Sequence, residues 1–141
     1  MKRKDTGDLS GELEKAASLD AYLAANRSYF ADRDVSELLN ELYVKRNLSK
    51  AELARKSNIS EVYLHQVFSR RRRPSRDRLL CLCIGLEATL EETQRMLMQA
   101  TYAQLYPKIK RDAIISYGIV HHTPLGEIND KLFAEREQTL F

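Results

Sequence analysis

The strongest pattern along the chain is Val35, Leu38, Leu39, Leu42 and Tyr43, apolar positions recurring at i, i+3, i+4, i+7 and i+8. This spacing draws one apolar stripe along a 3.6-residue period and predicts an amphipathic helix. Upstream, Ser10 to Asn26 predicts a short helix with Leu13, Ala16, Ala17, Leu19 and Leu23 as its apolar side. It follows a charged segment over 1–9 that is expected to fray. Asp32-Arg33-Asp34 reads as a break between the two helices.

Ser49-Lys50-Ala51-Glu52 has the form of a capping box, in which the Ser oxygen and the Glu carboxylate satisfy exposed amides reciprocally. It opens a short helix to about Lys56, ended by Asn58, which tolerates a left-handed conformation. Ser60 then caps a second short helix with Leu64, Val67 and Phe68 inward. Two helices of about nine residues joined by a turn of about four have helix-turn-helix spacing. Pro74 breaks the chain, and Ser75 caps a helix through Leu79, Leu80, Leu82 and Cys83, with Gly85 as its stop. Thr89-Leu90-Glu91-Glu92 is a second capping box, opening a helix through Met96, Leu97 and Ala100 that cannot pass Pro107. Lys110 to Val120 predicts a helix carrying Ile114, Ile115, Tyr117 and Gly118. Thr123-Pro124 predicts a cap with Pro at the first helical position, and Leu125, Ile128 and Leu132 continue at helical period. No segment sustains a period-two alternation. The expected fold is all-α. A tail and one helix occupy 1–33, five helices occupy about 34–100, and two more lie in a C-terminal extension at 101–141.

Composition agrees. The chain has 141 residues, of which 43% are hydrophobic, enough for one core. Five Gly, three Pro and no Trp leave little turn material for an all-β fold. The longest uncharged apolar run, Leu79 to Leu86, is eight residues, and a membrane span needs ~20. The N-terminus is basic and then acidic, without the apolar segment of a secretory signal. Cys81 and Cys83 cannot build a disulfide framework, so a reducing, cytoplasmic location is expected.

The net charge of +3 conceals an uneven distribution. Residues 1–33 carry six cations and six anions, 34–69 five and five, and 101–141 five and five. Residues 81–100 carry one cation and three anions. Between 70 and 80, Arg70, Arg71, Arg72, Arg73, Arg76 and Arg78 face Asp77 alone. Arginine stays ionised and binds phosphate bidentately, so the run is a solvated loop or a contact with a polyanion.

Little else carries chemistry. Cys81 and Cys83 lie two apart, roughly 200° around a helix, and cannot share a metal from it; core packing is their simplest role. His121 and His122 diverge and have no further ligand at metal spacing. No Ser/His/Asp grouping or phosphate loop is present. Neither an enzyme, a cofactor nor a metal is expected.

Leu48 through Arg70 resembles the helix-turn-helix of lambda-repressor-like regulators of the xenobiotic-response-element type. Arg71-Arg72-Arg73-Pro74-Ser75 with Leu79 to Leu86 resembles that family's loop and fourth helix, and Thr89 to Ala100 its fifth. Together with Tyr106-Pro107, Arg111 to Ile115 and Glu127-Ile128-Asn129, the whole chain is similar to a group of bacterial regulators with extra terminal helices. The matched positions have physical reasons: Ala54 is small where two helices cross, Ile59 and Leu64 fill the space under the turn, and Val67 and Phe68 anchor the third helix. The family usually has Gly where Asn58 and Arg70 stand.

The resemblance implies a sequence-specific regulator of transcription that binds double-stranded DNA, with repression by covering a promoter as the simplest mechanism. It places Ser60, Glu61, Val62, His65 and Gln66 at base edges in the major groove. Gln66 can pair bidentately with adenine, and Glu61 can accept from cytosine N4. Taken alone, Glu61 is equally a first-turn anion favoured by the helix dipole and His65 equally an ordinary exposed histidine, whereas a solvated surface amide is the lesser reading of Gln66. Lys50, Tyr63, Ser69, Arg70, Arg71, Arg72, Arg73 and Arg76 are the expected backbone contacts. The alternatives are an antitoxin or adaptor binding an unidentified protein partner through its terminal helices, and an RNA-binding protein. A homodimer on DNA is expected, since one recognition helix touches few base pairs. Tyr102, Leu105, Tyr106, Ile114, Ile119, Leu125, Ile128, Leu132, Phe133, Leu140 and Phe141 either supply its surface or complete the monomer core.

Overall fold

A short polar side chain before the first turn starts most helices of this chain. A computed structural model describes residues 4–27 and 34–141. Among the described residues there are nine helices and no strand. They are α1 (Thr6–Lys15), α2 (Leu19–Ala25), α3 (Val35–Arg46), α4 (Lys50–Lys56), α5 (Glu61–Phe68), α6 (Arg76–Gly85), α7 (Leu90–Gln99), α8 (Lys110–Val120) and α9 (Leu125–Ala134). The chain divides into two compact units, residues 1–33 and 34–141.

In the first unit the single helix expected over Ser10–Asn26 is two helices, and it begins earlier. Asp5 and Asp8 form a reciprocal capping box that starts α1 at Thr6, so 6–9 are helical rather than frayed. Ser18 accepts the Ala21 N–H and starts α2. Buried Asn26 joins the two, accepting from Lys4 Nζ at 2.9 Å and donating to Glu12 Oε2 at 2.9 Å. The hydrogen bond from Lys4 holds the Glu12 carboxyl below its ordinary pKa. Leu13, Leu19 and Leu23 remain exposed. Of the expected break, Asp32 and Arg33 lie outside the described residues, and Asp34 caps α3.

In the second unit the α3 stripe points inward as its spacing requires: Val35, Leu39 and Leu42 are buried, and Leu38 and Tyr43 pack against them. Ser49 caps α4 by accepting the Glu52 N–H, but the return bond expected of a capping box is absent; the Glu52 carboxylate instead lies 3.5 Å from the Ser49 hydroxyl. At α7 the box closes in both directions, through Thr89 and Glu92. Glu92 also accepts from Arg46, whose Nε donates to the Leu86 carbonyl, tying α3 to the entry of α7. Burial pushes the Glu92 carboxyl up, the Thr89 N–H and the Arg46 guanidinium pull it down, and it ends below the ordinary value.

α6 is the centre of the unit. Every residue from Leu79 to Gly85 is buried, the signature of a helix surrounded on all sides. α4, α7 and α9 pack around it. Gly85 does not act as a left-handed stop: it is the last helical residue, and Glu87 takes the positive φ of 53°. A Cβ at Gly85 would fall 2.1 Å from Ser57 Oγ, so glycine there permits the close approach of the α4 terminus.

α7 ends at Gln99, ahead of Pro107, where Thr101 turns the chain at φ 64°. α8 spans the expected residues, but Tyr117 projects outward. The Thr123-Pro124 cap differs from expectation: Pro124 is the N-cap itself, and no side chain caps α9. Leu105, Ile119, Leu125, Ile128, Leu132 and Leu140 join the single core formed with α3 to α7, so this apolar material is spent within the monomer. Tyr102 and Ile114 pack against that core, and Tyr106, Phe133 and Phe141 stay exposed. No helix among the described residues is long and apolar enough to cross a membrane.

Candidate nucleic-acid interface

The Ser60 hydroxyl accepts the Tyr63 N–H at 3.1 Å and sets where α5 begins. From there the 3.6-residue period sorts the helix. Leu64 and Val67 are fully buried. Ser60, Glu61, Val62 and His65 are exposed and Gln66 is half-buried, so the five expected base-contacting residues share the outer side of α5. Val62, at 70% exposure, is an apolar side chain held in solvent. α4 packs on α5 through the Ser57–Ser60 turn, in which Asn58 takes φ 51°. Lys50, at the start of α4, is exposed and lies 5.8 Å from the Phe68 ring centre. Ser69 closes α5, its hydroxyl donating to the Gln66 carbonyl at 3.3 Å.

Beyond α5 the arginines divide into three groups. Arg70 turns the chain at φ 65°, the conformation for which glycine is the usual choice. Its guanidinium meets Asp34 at 2.7 Å and Glu37 at 3.1 Å, so the α5 exit is tied to the start of α3. Ser36 reinforces this junction by donating to the Val67 carbonyl at 2.9 Å.

Arg73 and Arg76 face the C-terminal segment. Arg73 donates to the Ala100 carbonyl and, at 3.0 Å, to the Thr101 hydroxyl, with its guanidinium 4.8 Å from the Tyr102 ring centre. Tyr102 in turn donates to the Pro74 carbonyl at 2.6 Å. Arg76 donates to the Ala103 carbonyl at 2.8 Å and meets Asp112 at 3.4 Å.

Arg71, Arg72 and Arg78 remain on the α5 side. The Arg71 and Arg72 amides both donate to the Gln66 carbonyl, at 2.9 and 3.2 Å, which folds the loop back over the end of α5. Arg72 Nε donates to Gln66 Oε1 at 3.0 Å, and its guanidinium lies 5.3 Å from the Tyr63 ring centre. Arg78 lies over the same ring at 4.4 Å. The Arg71 side chain makes no hydrogen bond, ion pair or ring contact among the described residues. Asp77, the one anion of the cluster, pairs with Arg111 of α8 at 3.1 Å and is thereby neutralised. Arg78 belongs with the α5 face although its sequence position, beyond Pro74, separates it from the run. The available signal was its spacing: two residues after Arg76 on a helix, it points to another side.

The remaining candidates are structural. Cys81 and Cys83 are buried, and burial pushes both thiols up to about 12, so neither is a nucleophile at neutral pH. The His121 ring stacks on Tyr117 with centres 4.1 Å apart, and His122 occupies a turn at φ 52°.

No curated protein and no solved structure matches the chain. Residues 39–92 match a family model described as Helix-turn-helix. The matched residues run from within α3 to the first turn of α7 and contain α4, the turn and α5. This part of the chain is a helix-turn-helix DNA-binding domain of the lambda-repressor-like family.

Proposed function

We propose that the protein is a sequence-specific regulator of transcription, reading the major groove of duplex DNA with the outer side of α5 and acting as a repressor by covering a promoter. One observation supports this most. The polar side chains of α5 stand beside Arg71, Arg72 and Arg78, none of which has a carboxylate partner among the described residues. Such an arrangement supplies base-edge donors and acceptors next to sequence-independent attraction for phosphate. Ser60, Glu61, Val62, His65 and Gln66 are the proposed readers. Lys50, Tyr63, Ser69, Arg71 and Arg72 are the proposed backbone contacts, with Arg70, Arg73 and Arg76 contributing through whatever reach their protein partners leave them.

Specifying one genomic site with a single short helix is difficult, so the regulator acts as a two-fold dimer on half-sites ~34–36 Å apart or a multiple of that. Tyr117, Val120 and Phe133, exposed after the core is filled, provide apolar surface for it. Selection of bound sequences from a random duplex library tests the proposal. A recovered motif supports the reading. Equal retention of unrelated duplexes, or tighter retention of structured RNA, refutes it. Sedimentation equilibrium of the protein with the selected duplex tests the dimer.

A further inference from the structure

Gln66 is held by an arginine, and this bears on which base it reads. The guanidinium group has N–H donors and no acceptor. The amide atom that meets Arg72 Nε at 3.0 Å is therefore the oxygen of Gln66, and its NH2 group faces away from the contact. Arg72 is held at three points: its own N–H on the Gln66 carbonyl, its Nε on the Gln66 amide oxygen, and its guanidinium over Tyr63. Arg78, over the same ring, adds a second positive charge close by.

We propose that Arg72 sets the base preference of Gln66, converting an adenine reader into a donor-only pair that selects guanine. The inference rests on the reading of α5 as the groove helix. Pairing of glutamine with adenine needs its amide oxygen to accept from the adenine amino group while its NH2 donates to N7. In this protein one of that oxygen's two lone pairs already accepts a charge-assisted bond, the stronger kind, and a second donor reaching the other lies beside the cation. An adenine amino group brought to it would also point its hydrogens at a guanidinium. Guanine presents two acceptors, N7 and O6, on the same edge. The Gln66 NH2 can donate to one and a terminal Arg72 N–H to the other, which leaves Arg72 its second terminal nitrogen for the backbone, and no donor is left facing a donor. Tyr63 is a positioning residue in this scheme, since its ring keeps Arg72 alongside Gln66.

The test is selection from a random duplex library with the full chain and the variants Gln66→Ala, Arg72→Ala, Tyr63→Phe and Tyr63→Leu. Gln66→Ala identifies the position that Gln66 reads as the one whose preference relaxes. The wild type should prefer guanine there. Arg72→Ala should shift that position to adenine, changing the guanine-to-adenine ratio by about tenfold or more, within the range of a bidentate base contact. The rest of the motif should stay fixed. Tyr63→Phe, which keeps the ring, should retain guanine; Tyr63→Leu should blur the position. Adenine in the wild-type motif overturns the inference, as does an Arg72→Ala motif identical to the wild type at lower affinity, and either result leaves the regulator reading intact. A wild-type protein that enriches no motif removes the regulator reading itself, and the inference with it.

Discussion

Arg76 at the start of α6 and Asp112 in the first turn of α8 meet at 3.4 Å across 36 residues of sequence, and Asp112 is only 4% exposed. The same carboxylate accepts the Tyr106 N–H at 3.0 Å. One buried group thus secures both the loop after α7 and the helix that follows it. Asp112→Asn keeps the shape but removes the charge, leaving Arg76 short of its counterion. We expect a loss of about 2 kcal/mol, read as a lower midpoint in urea with an unchanged slope. An unaltered midpoint would show that the pair is immaterial to the fold.

The threefold division of the arginines predicts that effects on affinity and on stability come apart. Arg71→Ala should lower duplex affinity and reduce the slope of log affinity against log salt by ~0.9, the effect of one lost phosphate contact, while leaving the melting temperature unchanged. Arg73→Ala, which removes bonds to Ala100 and Thr101, should lower the melting temperature and reduce the salt slope by less than Arg71→Ala does. Salt titrations and thermal melts on both variants check this. Equal salt slopes for the two would mean that the cluster acts as undivided charge.

Ser57 and Gly85 form a second close pair. The Ser57 hydroxyl is buried and has no hydrogen-bond partner among the described residues. Ser57→Ala removes an unsatisfied polar group and should leave stability equal or raise it by up to ~1 kcal/mol. Gly85→Ala, whose Cβ would overlap that hydroxyl, should cost ~1–3 kcal/mol. The double variant should recover most of this cost, because the atoms 2.1 Å apart no longer coexist and the next nearest lie at 3.2 Å. Additive effects in chemical denaturation would contradict the contact.

Stability should narrow at both ends of the pH range. The Cys81 and Cys83 thiols are pushed up to about 12 in the fold from an ordinary value of 9.0, so their contribution is complete below pH 9 and is lost as pH rises toward 12. The Glu92 carboxyl is lowered from 4.5, so its contribution is present above that value and is lost as pH falls below it. Both thiols should resist alkylation at pH 8 until the protein is denatured. Rapid labelling of the native chain would place them nearer the surface.

The helices that form the helix-turn-helix were legible because their signals are local. Ser60 before an apolar period, Asn58 at a left-handed turn, and Leu64 with Val67 inward are each decided within a few residues. Ser10–Asn26 departs from a single helix for an equally local reason: Asp5 and Ser18 are both caps, and two caps make two helices. The fate of the arginines could not be read. Arg70, Arg73 and Arg76 look alike in sequence, but their partners Asp34, Thr101 and Asp112 lie far along the chain and are brought near only by packing. The same holds for Gln66, whose chemistry depends on a neighbour six residues away across a turn. Leu105, Ile119 and Leu140 were equally suited to an interface or a core, and the choice between them is made by tertiary structure.

A helix buried on every side leaves no seam at which residues 34–141 can be divided. Because α6 is wrapped by α4 from the DNA-binding part and by α9 from the extension, a chain cut after Ala103 would leave leucines of α6 open to water. Helix α5 and the α8–α9 pair are therefore not interchangeable parts. A chimera that grafts residues 39–92 onto a foreign scaffold would carry α5 without the floor it stands on. In this protein the portable piece is the whole of 34–141.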